Sequence, residues 1–196
     1  MSHFFVSPSK TRLRVMRGGQ AMIREWKIPK PVVLVDSREK MPLYLFDNHP
    51  NWFKGEQQAT LSAGDYSLEG MENVLSLERK SMADAIGSTI TGRERFIRSC
   101  ARLAKFRWKA ILIEASYEDM KTPYHRFEDL QTEAHPNAVC GTLDAIEAKF
   151  GIPILYSSRN RDMASEKAAS WLSKHFMYWW LEQNGHDRVL IDTDGL

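Results

Sequence analysis

A chain of 196 residues, 43% of them hydrophobic, has room for one domain with a sizeable core, or one domain plus a tail. No stretch approaches the ~18–20 apolar residues of a membrane-spanning helix, and charges at Lys10 and Arg12 interrupt any secretory signal, so a cytoplasmic protein is expected. The net charge of +2 argues against a globally basic protein, and Cys100 and Cys140 match no metal or redox spacing.

Residues 1–30 read as a basic N-terminal arm. Lys10, Arg12, Arg14, Arg17, Arg24, Lys27 and Lys30 stand against Glu25 alone, and Pro8, Ser9, Gly18 and Gly19 break any regular pattern. PVVLVDS (31–37) is a β-branched run, expected to be a buried strand ending at Asp36. The stretch 41–58 reads as irregular and carries Tyr44, Phe46, Trp52 and Phe53. QATLSAGDYSLEG predicts strand, turn and strand with Gly64 in the turn, and NVLSLERK (73–80) the next strand.

Ser81 and Asp84 resemble a capping box and open a helix to about Ile90. Arg93 to Phe106 reads as a second helix, apolar along Phe96, Cys100, Leu103 and Ala104 and basic along Arg95, Arg98, Arg102 and Lys105. WKAILIEA (108–115) predicts a central strand, His135 to Phe150 a helix stopped by Gly151, and 152–157 a further strand. A long helix follows over 161–182, then a C-terminal tail over 186–196. Strands followed by α-β-α-β-α give an α/β fold, with helices covering a central sheet.

Two basic clusters, 1–30 and 91–109, in a near-neutral chain point to a localised anionic partner, with nucleic acid first. A solvated helix face is the plain alternative for the second cluster. Three acidic residues, Asp36, Asp65 and Glu78, arrive at strand ends, and Lys80 shares a strand face with Glu78. Carboxylates hold Mg²⁺ through hard oxygens, and the ion polarises a phosphate and acidifies a water. A neighbouring lysine can orient that water. Spacing alone is loose evidence in a chain that is 27% charged.

The surrounding residues narrow the reading. VDSREK (35–40), GDYSL (64–68), ERKSMAD (78–84) and GR-x8-RL (92–103) occur in order. Together they resemble the nuclease domain of the XPF family of structure-specific endonucleases, a branch of the PD-(D/E)XK nucleases. The resemblance implies a restriction-endonuclease-like central mixed sheet flanked by helices, placed here over 31–185. It implies Mg²⁺, with Mn²⁺ as substitute, held by Asp65 and Glu78, with Asp36 as a third carboxylate at or beside the metal. Lys80 would position the attacking water. Arg38, Glu39, Arg79 and Asp84 would organise the site or contact phosphate, and Arg93 would lie near the DNA backbone.

Plainer roles compete at each position. Asp65 could be a turn residue, Asp84 a helix cap, and Arg38 and Arg79 structural ion pairs. The aromatics of 41–58 could stack on unpaired bases or cap the sheet. No helix-hairpin-helix pattern follows Tyr156. The expected activity is metal-dependent endonucleolytic cleavage of branched, flapped or distorted DNA; a catalytically silent junction-binding scaffold is the alternative. Trp171, Phe176, Tyr178, Trp179 and Trp180 on the last helix suggest a homodimer surface, or simply closure of the core.

Overall fold

The computed structural model describes residues 12–188. The apolar runs form the strands the pattern predicts. β3 (Val32–Asp36), β5 (Tyr66–Leu68), β6 (Leu75–Ser81), β7 (Trp108–Glu114) and β8 (Ile154–Tyr156) join β4 (Gly55–Ala59) in a six-stranded sheet ordered β4-β3-β5-β6-β7-β8. β3 pairs parallel with β4, β6 with β7 and β7 with β8, while β5 runs antiparallel to both β3 and β6. The sheet is therefore mixed, with β5 reversed. The C-terminal ends of β3, β6 and β7 share one edge with the residue that leads into β5.

Alternate side chains along each strand bury on opposite faces. Val33, Val35, Leu75, Leu77, Ala110 and Leu112 pack against Ala164, Ala168 and Leu172 of α6 (Arg161–Gln183). Ile111 and Ile113 pack on the other face against α2 (Met82–Thr89), α3 (Arg93–Leu103) and α5 (Pro136–Phe150). Five consecutive buried residues along β7 are what a central parallel strand covered on both faces requires. Ser81 caps α2 as its sequence suggests, its Oγ accepting from the Asp84 amide, and Gly151 ends α5 at φ +60°.

The N-terminal segment corrects the expectation of irregular chain. Over 12–25 it is a hairpin of β1 (Arg12–Arg17) and β2 (Gln20–Glu25), turned by Gly18 and Gly19 at φ +57° and +77°. Two positive-φ residues in a two-residue loop give the turn that matches strand twist, so these glycines fold the chain rather than break it. β9 (Asp187–Arg188) adds to β1, which makes the start of the expected tail a strand. Residues 1–11 and 189–196, including Pro8, Ser9 and Lys10, lie outside the described residues.

Val15 and Trp26 pack on Met177 and Leu181, with Tyr178 and Trp180 alongside, so the hairpin is docked on α6. Trp171, Trp179 and Trp180 lean on the main core, and Phe176 is buried in it. The aromatics of α6 thus close the core from two sides. None of them belongs to the large hydrophobic side chains exposed among the described residues. In 41–58, Tyr44 caps a short helix, α1 (Leu45–Asn48), Phe53 is fully buried, and Phe46 and Trp52 pack against the core. Residues 115–135, for which no element was predicted, hold α4 (Tyr117–Lys121) and a 3-10 turn at Tyr124–Arg126. No described helix is long and apolar enough to cross a membrane.

Candidate active site

Glu78 and Lys80, two residues apart on β6, leave the same face of the strand. Their charged ends lie 3.2 Å apart, and both side chains are mostly enclosed. The Lys80 ammonium also sits 4.8 Å from the ring centre of Phe96 on α3, which holds it over the cleft wall. Asp65 arrives from the turn before β5. Its amide donates to the Leu77 carbonyl, its carbonyl accepts from the Asp36 amide, and its Oδ2 accepts from the Arg79 amide at 2.7 Å. Gly64 makes this approach possible: at φ +71°, a Cβ there would lie 2.2 Å from Ser76 Oγ.

The Glu78 charge is close enough to Asp65 to oppose its ionisation. Burial first, and the Glu78 charge second, push the Asp65 carboxyl up to about 7, against the opposing pull of the Arg79 amide and Lys80. Both acids line a cleft of about 510 Å³ that also takes in Arg38, Lys40, Ser81 and Asp84.

Asp36 stands differently. It is 2% exposed, and both its oxygens are engaged. Oδ1 accepts from the Arg38 amide and Nε at 2.9 and 2.7 Å; Oδ2 accepts from Arg38 Nη2 at 2.8 Å and the Leu61 amide at 2.9 Å. Its hydrogen bonds to the Arg38 side chain hold its carboxyl below the usual carboxylate range, against the effect of burial. The carboxylate expected at or beside the metal thus carries four donors, three of them from Arg38, and Asp36 is not among the residues that line the cleft. Among the described residues, no group of three His, Cys, Asp or Glu side chains is placed to hold an ion.

Arg79 takes the first of its expected roles, organising the site. It lines the cleft, its side chain is 9% exposed, and it donates through Nε to Glu114 and through Nη1 to Glu39 at 3.3 Å. Glu39, expected as a site residue, is part of the same buried group and also accepts from the Met41 amide at 2.7 Å.

Two members of this group were not anticipated from the sequence. Glu114 ends β7, and Arg161 opens α6; Arg161 lies 3.5 Å from Glu114 and donates to the Met41 and Pro42 carbonyls at 2.9 and 3.0 Å. A glutamate ending the most apolar strand was the available sign for Glu114. Arg161 carried none.

The basic residues of α3 divide. Arg93 donates to Thr142 of α5 at 2.7 Å, a bond that ties two helices. Arg95, Arg98 and Arg102 are exposed, and Arg98 lies 3.7 Å from Glu94 in a solvent-facing pair.

A mixed sheet with helices on both faces, and an acid pair with a lysine at its edge, defines the restriction-endonuclease-like class of α/β domains. Residues 35–166 match the ERCC4 domain. The chain belongs to the ERCC4 domain family and is an XPF-type nuclease domain. XPF from Aeropyrum pernix shares its fold, with a TM-score of 0.57 and 18% identity over 79% of this chain and 68% of that one. The same protein in complex with DNA gives 0.55 and 19% over 76% and 66%. A Methanocaldococcus jannaschii protein provisionally named an ATP-dependent RNA helicase is 30% identical over 140 residues, 70% of this chain. The match spans 15% of that relative's length.

Proposed function

We propose that this domain is a divalent-metal-dependent endonuclease that hydrolyses DNA phosphodiesters at branched, flapped or otherwise distorted duplexes. The observation that carries the reading is the meeting of Asp65 and Glu78 in one cleft, with the Lys80 ammonium 3.2 Å from Glu78. Burial first and the Glu78 charge second disfavour the ionised Asp65, and a cation between the two carboxylates would offset both. Two carboxylates with room beside them suit Mg²⁺, which binds through one or two protein carboxylates and keeps its other positions for water and phosphate; Mn²⁺ is the natural substitute. What a bound ion supplies is polarisation of the scissile phosphate and a more acidic water.

The chain's own residues have separable tasks in this reading. The Arg79 amide fixes Asp65, and the Glu39–Arg79–Glu114 group fixes Arg79. Lys80, held between Glu78 and Phe96, directs an ammonium at the attacking water or the charge growing on phosphate. Asp36 shapes the turn that presents Arg38 at the rim, so it acts as a positioning residue. Arg95, Arg98 and Arg102 offer backbone contacts that set register without reading sequence. The A. pernix XPF structure in complex with DNA shares the fold and supports DNA as the polymer. A homodimer through α6 would have to use surface other than its core-packed aromatics.

The test is cleavage of labelled duplex, splayed-arm, flap and four-way-junction DNA with Mg²⁺, Mn²⁺ or chelator. Metal-dependent cutting of branched DNA is expected, with Glu78→Ala reducing the rate by at least roughly 100-fold while circular dichroism stays unchanged. Equal cleavage by Glu78→Ala would overturn the assignment. Light scattering at tens of micromolar decides the oligomeric state.

A further inference from the structure

We infer that Tyr44, supported by Met41, is a base-stacking post that selects DNA with an unpaired nucleotide beside the cleft; the inference rests on the nuclease reading above. Tyr44 is the one non-glycine among the described residues with positive φ (50°), a conformation that bulky side chains avoid unless the surroundings impose it. Asn or Gly would be the ordinary choice there. The imposed geometry leaves Tyr44 56% exposed, while Phe46, Trp52 and Phe53, its companions in 41–58, are turned into the core. The segment therefore offers one aromatic face to solvent.

Its position ties that face to the cleft. Met41 lines the cleft and is 61% exposed, and three residues of chain keep the Tyr44 Cα within about 11 Å of it. The loop between them is fastened at both ends. Arg161 holds the Met41 and Pro42 carbonyls, and the Leu43 amide donates to the buried Tyr66 hydroxyl at 2.8 Å.

Arg38, Lys40 and Arg161 line the cleft together with Met41, so cations that can meet the phosphates of a strand lie within a few residues of Tyr44 along the chain or across from it at Met41. An apolar rim set among cations, with an aromatic held outward on a fastened loop, matches the way sequence-tolerant single-strand sites hold a base. A paired base is already stacked on both sides. An unpaired base at a strand junction has a free face for the ring.

The experiment uses the full chain in chelator, so that binding is read without turnover. Splayed-arm DNA carrying 2-aminopurine at its first unpaired position is compared with blunt duplex of the same length. Wild type should quench the probe and prefer the splayed arm. Tyr44→Ala should lower that preference roughly 5- to 30-fold and relieve the quenching. Tyr44→Phe should keep both, and Tyr44→Gly, which suits the backbone but lacks the ring, should behave as Tyr44→Ala. The inference is overturned if Tyr44→Ala keeps the wild-type preference, or if wild type shows none. Failure of the nuclease reading shows separately, as no Mg²⁺-dependent cleavage by wild type.

Discussion

Asp36 and Asp65 are joined by one backbone hydrogen bond, yet their carboxyls are shifted in opposite directions. Asp65, raised to about 7, stabilises the fold fully only below about pH 4, where it is protonated whether folded or not. That contribution is lost as pH rises through 7. In chelator, Asp65→Asn should therefore melt higher than wild type at pH 8, by about 2–4 kcal/mol of stability, with the gain vanishing near pH 4. Thermal melts across pH 4–8 check this. Added Mg²⁺ should narrow the difference by stabilising wild type alone. Asp36 has the reverse sign: its lowered value supplies stability above about pH 4 that fades as acid protonates it. Gly64 belongs to the same scale, since the clash of an added methyl with Ser76 Oγ would displace Asp65 from the Arg79 amide.

At the scale of elements, strands β6 and β7 and helix α6 are locked at one end by the Glu39–Arg79–Glu114–Arg161 group. Glu114→Ala should cost about 3–5 kcal/mol in urea unfolding, because it leaves the Arg79 charge enclosed with only the longer Glu39 contact. Combining it with Arg79→Met should restore part of the loss, as a double-mutant cycle would show. This group also marks where sequence reading stops. The strand of 108–114 and the helix of 136–150 were legible because an apolar run, and a Gly stop, are local signals. So was the Asp65–Glu78–Lys80 set, through its motifs. The partners of Arg79 and Asp36 were not, since Arg79 meets Glu114, 35 residues away, and Asp36 meets the Leu61 amide, 25 residues away. The Gly18-Gly19 pair reads as a breaker because its value as a turn depends on two flanking strands, RLRVMR and QAMIRE, whose sequences are not strongly apolar.

Over the whole molecule, three apolar clusters divide the burial, and the smallest joins the hairpin to α6. Trp26 is its anchor, packed edge-on to His186 at 4.5 Å. Trp26→Ala should free the hairpin without opening the six-stranded sheet. Hydrogen exchange is expected to quicken over 12–25 and at 187–188, while β6 and β7 remain protected. Uniform loss of protection would instead show one cooperative unit.

The pairing of Val15 with Arg188 has a kinetic side. A ribosome makes the hairpin early but must add some 160 residues before α6 and the closing strand emerge, which takes roughly 10–30 s at ordinary elongation rates. For that interval the Trp26 indole has no seat in the nascent chain. The contact of β1 with β9 thus joins positions far apart in sequence, and chaperone capture or sticking to neighbouring polysomes would act on the young protein in that window.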